Sequence, residues 1–155
     1  MKLIAHELVI NAPAATVYDF LVDPARFVTW MADDATLEPR PGGLIRWTHP
    51  NGDSCAGRYV ELVPARRVVF TYGWEQTDVG IPPGSTTVEI DLIAESADVT
   101  TLRLVHRGLD ASAADAHSGG WGHYLGRLRI AAEGNHPGAD PWVDRRVPRA
   151  AERGN

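Results

Sequence analysis

Six histidines are the first residues of this chain with the means to do chemistry, since imidazole serves both as metal ligand and as general base near neutral pH. They are His6, His49, His106, His117, His123 and His136, spread over different stretches. None shows the HExxH or HxH grouping of a metal site, so we expect neither a metal nor a cofactor. His117 and Trp121 stand four apart and share a face if that stretch is helical. His117 then either points a polar group into a cavity mouth or sits on an exposed first turn. His106 extends an inward face made by Leu102 and Leu104; it either orients a ligand or is a satisfied rim residue. The carboxylates Asp33, Asp34, Glu61, Glu75, Glu89 and Asp91 give no acid–base pair, unless the register turns Glu61 and Arg46 to the same concave side. Cys55 has no activating neighbour, and no Ser-His-Asp order with a nucleophile elbow is present. Gly42-Gly43 precedes a strand and lacks the Lys and Ser/Thr of a phosphate loop. No catalytic residue is assigned.

The aromatics offer binding rather than chemistry. Trp30, Trp47, Tyr59, Phe70, Tyr72, Trp74 and Trp121 either line a pocket or pack a core, and the volume they leave decides between the two. With Met31, His106, His117 and Leu125 they form the candidate ligand-binding set. Trp30 and Met31 are expected near the mouth, Trp121 and Leu125 on a helical roof, and Phe70, Tyr72, Trp74 and His106 on a sheet.

These residues need elements to position them. Leu3–Ile10 alternates as a first strand. A helix enters through Asn11 and Pro13 with Val17, Phe20 and Leu21 on its buried face, and Asp23-Pro24 breaks it. A second short helix covers Ala25–Trp30, giving a V-shaped lid. About six strands then meander; five are placed, at Gly43–Thr48, Ser54–Val63, Arg66–Trp74, Ser85–Ala94 and Val99–Arg107. A two-residue loop at Pro64-Ala65 sets Tyr59 opposite Phe70 and Gly57 opposite Tyr72, leaving space beneath the Tyr72 ring. Val88, Ile90 and Leu92 should face His106, Leu104 and Leu102, with Asp91 across from Arg103 as a charge pair. A long helix runs over Ser112–Glu133, capped by Ser112 and Asp115, with Trp121, Leu125, Leu128 and Ala132 as its apolar stripe. Gly119-Gly120 within it implies close approach to the sheet, a bend, or a later start. From His136 the chain reads as an irregular tail lying loosely on the surface, with Arg145, Arg146, Arg149 and Arg153 solvated. The sheet needs a cover, and only the long helix has the length. The result is one α+β domain over residues 1–135 plus a tail over 136–155.

Composition narrows the partners. A net charge of −5 argues against nucleic acid. No apolar run approaches the ~20 residues that cross a bilayer, so no membrane association is expected. The lone Cys55 and the lack of a signal-peptide pattern fit the cytoplasm. A homodimer through an edge strand is compatible with the sequence, which does not compel it.

Several stretches together resemble a known family. Trp30-Met31, Pro41-Gly42-Gly43, the run Gly57 to Pro64, Arg67-Val68-Val69-Phe70-Thr71 and His117-Ser118-Gly119-Gly120-Trp121 are similar to the Hsp90-ATPase-activator-like family of the START/Bet v 1-like superfamily. The similarity spans about residues 3–133. It implies a helix-grip fold, a curved antiparallel sheet around a long C-terminal helix, with two short helices after the first strand. It also implies an apolar cavity between helix and sheet, and hence a hydrophobic small-molecule ligand. Some members of the wider superfamily are polyketide cyclases or dehydratases, and here only His106 or Glu61 would serve such chemistry. A stress-response or chaperone-associated interaction module is the third reading; the co-chaperone role needs a further Hsp90-binding domain for which 155 residues leave no room.

Overall fold

In the computed structural model, which describes residues 2–154, seven antiparallel strands form one sheet in the order β1-β7-β6-β5-β4-β3-β2. The strands are β1 (Lys2–Ile10), β2 (Asp34–Leu37), β3 (Leu44–Thr48), β4 (Ser54–Val63), β5 (Arg67–Tyr72), β6 (Thr86–Ser96) and β7 (Val99–Leu109). Helices α1 (Ala14–Val22) and α2 (Pro24–Phe27) follow β1, and α3 (Ala111–Ala132) closes the concave face. This is the helix-grip arrangement. β1 and β2 are the sheet's edges. No helix among the described residues is long and apolar enough to cross a membrane.

Local chemistry sets the joints. Asp23 ends α1 in an extended conformation and its carboxylate accepts the Ala25 N–H at 3.1 Å, with Pro24 opening α2. Val17 and Leu21 are buried, but Phe20 is only half-buried; its carbonyl instead accepts the Trp30 indole N–H at 2.9 Å. α3 starts earlier than expected, because Asp110 rather than Ser112 is the cap, accepting the Ala113 N–H at 2.9 Å. Trp121, Leu125, Leu128 and Ala132 are all buried along it.

The β6–β7 register is as expected: Val88 faces His106, Ile90 faces Leu104 and Leu92 faces Leu102. Asp91 does lie opposite Arg103, yet each takes its ion pair elsewhere. Asp91 binds Arg67 at 2.8 Å, and Arg103 binds Glu7 across β1. Between β4 and β5 the loop is one residue longer than expected, with Val63 opposite Arg67 and Ala65 at a φ of 64°. An irregularity between Tyr59 and Glu61 absorbs the extra residue, so Tyr59 still faces Phe70. Tyr59–Phe70 and Cys55–Trp74 keep Gly57 in register with Tyr72, as expected, but the ring is not what the glycine spares. A Cβ there would lie 1.8 Å from the Thr71 carbonyl oxygen, so the glycine makes room for backbone. β2 is a strand in a stretch where the sequence pattern places none.

Gly119 and Gly120 lie inside α3, and a Cβ at either meets nothing within 4 Å. Neither a late start nor a close approach explains them. Gly119 is exposed, so Gly119→Ala should stabilise the protein by about 1 kcal/mol through helix propensity alone, read as a rise in the urea midpoint. An unchanged or lower midpoint would contradict this.

The tail is not loose. Arg149 grips the buried Asp53 carboxylate with both terminal nitrogens, at 2.7 and 3.0 Å, and also reaches Asp78. Arg153 donates to the Val79 carbonyl at 2.7 Å. Trp142 stacks flat on His123, with centroids 3.8 Å apart. Two of the four arginines expected to be solvated are therefore anchors.

Candidate functional site

A cavity of about 180 Å³ lies between α3, the β3–β4 hairpin, the end of β5 and the tail. Met31, Trp47, Tyr72, Trp74, His117 and Trp121 of the candidate set line it. Trp30, Tyr59, Phe70, His106 and Leu125 do not; all are buried behind it. Trp30 is held away from the mouth by its bond to the Phe20 carbonyl, and the Tyr59 hydroxyl reaches the Leu21 carbonyl at 3.3 Å. Phe70 packs edge-on to both Trp47 and Tyr59. The sequence reading missed His49, Tyr124 and the whole tail contribution, Trp142 to Pro148. An aromatic and a histidine two residues apart at Trp47 and His49 was the one local signal available.

The organising feature is a set of three Trp–His pairs. Trp47 donates its indole N–H to His49 Nε2 at 3.1 Å, Trp74 to His117 Nε2 at 3.0 Å, and Trp121 to His106 Nδ1 at 3.0 Å. Indole N–H can only donate, so each of these ring nitrogens is unprotonated and each imidazole is neutral. The other nitrogens are also committed. His117 Nδ1–H donates to the Ala113 carbonyl at 2.8 Å. His106 Nε2–H donates to Thr86 Oγ1 at 2.9 Å, and that hydroxyl passes its own proton to the Tyr72 carbonyl. His49 Nδ1–H points to the Tyr124 hydroxyl, which donates to Asp140 at 2.7 Å.

Electrostatics agree with this geometry. Burial, reinforced by His117, pushes His106 down to about 3. Burial pushes His49 down to about 4 against the opposing pull of Asp140, Asp53 and Asp33. His117 is lowered by burial as well. Burial drives the Tyr72 phenol up, and Cys55 beside it moves the same way. Cys55 is a buried thiol with no activated character.

The rival catalytic candidates are engaged elsewhere. His106 has both nitrogens bonded. Glu61 is exposed and pairs with Arg67 at 2.8 Å, while Arg46 pairs with Glu75 at 2.8 Å, so the inward Glu61–Arg46 pair does not form. Among the described residues no cluster of His, Cys, Asp and Glu is arranged to hold a metal.

Known proteins share this architecture. A solved AHSA1-like protein from Rhizobium etli is 39% identical, with a TM-score of 0.70 over 94% of this chain and 91% of that one. DynU16, from the dynemicin biosynthetic locus, has a TM-score of 0.74 at 22% identity, over 88% of this chain and 49% of its own, a likeness of fold. An uncharacterised Schizosaccharomyces pombe protein is 28% identical over 107 residues, so the match takes in 68% of this chain but only 30% of that relative. The family model for Activator of Hsp90 ATPase homolog 1-like proteins matches residues 11–133, from the entry to α1 through the last turn of α3. That stretch holds strands β2 to β7, the roof helix and all three Trp–His pairs, and the chain belongs to this family.

Proposed function

We propose that the protein binds an apolar small molecule in the cavity under α3 and does not transform it. The observation that supports this is the cavity itself, about 180 Å³ and walled by Trp47, Tyr72, Trp74 and Trp121. A cavity of about 150 Å³ is enough to bind benzene, so this one has room for one or two rings. Burial supplies the affinity, at about 25 cal/mol per Å² of apolar surface. The cyclase or dehydratase alternative needs a free base, and its two candidates, His106 and Glu61, are already bonded to other residues. The buried, unpaired Cys55 supports a reducing, cytoplasmic setting.

A neutral probe, 1-naphthalenemethanol, tests the reading. It should shift the indole N–H signals of Trp47, Trp74 and Trp121 in NMR titrations. Gly120→Leu should abolish those shifts with the fold intact, because Gly120 lines the cavity on a helix face where a side chain has room to grow. Wild-type signals that stay put at saturating probe would refute the binding reading.

A further inference from the structure

The charges around the cavity are one-sided. In a chain with 20 acidic and 15 basic residues, the lining holds two arginines, Arg145 and Arg146, and neither aspartate nor glutamate. Its polar interior groups are already committed, since His49 and His117 each have both nitrogens bonded. The donors left to a ligand are at the mouth.

Arg145 is the better placed of the two. Its guanidinium lies 4.0 Å from the centre of the Trp142 ring, and among the described residues no carboxylate pairs with it. Trp142 is itself fixed, by the His123 stack and by its backbone N–H to Asp140 at 2.9 Å. A guanidinium held on an immobilised ring loses little freedom when it takes a partner. Arg146 is shared with Glu152 at 2.6 Å on the surface and adds charge of the same sign.

Resting on the cavity reading above, we propose that the ligand is a small aromatic carboxylic acid of one or two rings. The ring system enters among Trp47, Tyr72, Trp74 and Trp121. The carboxylate stays at the mouth against Arg145, with Arg146 beside it. Guanidinium matches carboxylate in shape and charge, and a partly open mouth spares the anion full desolvation. Both arginines lie beyond residues 11–133, so this selectivity belongs to the tail of this chain and not to the stretch that defines the family.

The test compares matched probes on the full chain by calorimetry: 1-naphthoate, neutral 1-naphthalenemethanol and cationic 1-naphthylmethylamine. Wild type should prefer the acid over the alcohol about tenfold, a charge-assisted contact at a solvent-accessible mouth. The amine should bind most weakly. Arg145→Gln should erase most of the acid's advantage over the alcohol, Arg146→Gln should erase less, and added salt should narrow the gap. Equal affinities for acid and alcohol, or an acid preference that survives the double Arg145→Gln/Arg146→Gln variant, would overturn the anion assignment while leaving the cavity reading intact. If no probe binds, both fall together.

Discussion

Between pH 7 and pH 4.5 the protein should lose on the order of 4 kcal/mol of stability, most of it before the carboxylates begin to titrate. The cause is the three Trp–His pairs. A histidine free in the unfolded chain titrates near 6.5, whereas His106 is held down to about 3 and His49 to about 4. Between those values and 6.5 the unfolded state binds more protons than the native one. Stability therefore rises with pH across that window, is fully present above it, and is lost as the pH falls through it. Each such histidine contributes a slope of up to about 1.4 kcal/mol per pH unit. His106, fully buried, carries the largest share; His49 is half-buried and is discounted accordingly. The loss is a large fraction of the 5–15 kcal/mol typical of a domain. Urea midpoints at pH 7, 6 and 5 read it directly. His106→Gln should lower stability at pH 7 but flatten the pH slope by about one proton, since glutamine does not titrate. A stability flat from pH 6.5 to 5 in wild type would show that the native imidazoles take up protons as readily as the unfolded ones, and would overturn the Trp–His pairs as the cause.

The same pairs mark where sequence reasoning reaches its limit. The β6–β7 hairpin was legible because Val88 to Leu92 and Leu102 to His106 alternate cleanly, and the irregularity between Ala94 and Ser96 is confined to the turn and leaves their register untouched. The stripe on α3 was legible for a similar reason, as a period of 3.6 over 22 residues is hard to mistake. β2 was not, because Asp34-Ala35 at its start carries little strand preference and the strand exists by pairing with Trp47 and Thr48. His106 meets Trp121 across 15 residues and Arg149 meets Asp53 across 96, contacts that no local spacing announces. The candidate site was half legible on these terms. Large aromatics on concave strands were found from their type, but whether each lines a cavity or packs behind one depends on single hydrogen bonds, such as that of Trp30 to Phe20. The tail was misread for want of any partner visible in its own sequence.

Gly57→Ala should destabilise the domain by about 3 kcal/mol or more and disturb the cavity, although the substitution adds one methyl group. The added Cβ would fall 1.8 Å from the Thr71 carbonyl oxygen and 2.4 Å from its carbon, and backbone cannot step aside as a flexible side chain does. Relief requires β4 and β5 to part where they cross. The bonds made at that crossing include Arg58 N–H to Thr71 Oγ1 at 2.9 Å and Ala56 N–H to the Gly73 carbonyl at 3.0 Å. Tyr72 and Trp74, which flank Gly73, line the cavity, and Trp74 holds His117. A separation of the strands therefore reaches the roof helix through the Trp74–His117 bond. Gly73→Ala should act alike, since its Cβ would meet the Pro82 carbonyl at 1.7 Å. Gly119→Ala is the control, with the same chemical change in open space and the opposite sign. Denaturation midpoints of the three variants, read beside the Trp74 indole N–H shift, separate a local clash from a general intolerance of added methyls. If Gly57→Ala matched wild type in both midpoint and Trp74 shift, the strands would have to cross less closely than 1.8 Å implies.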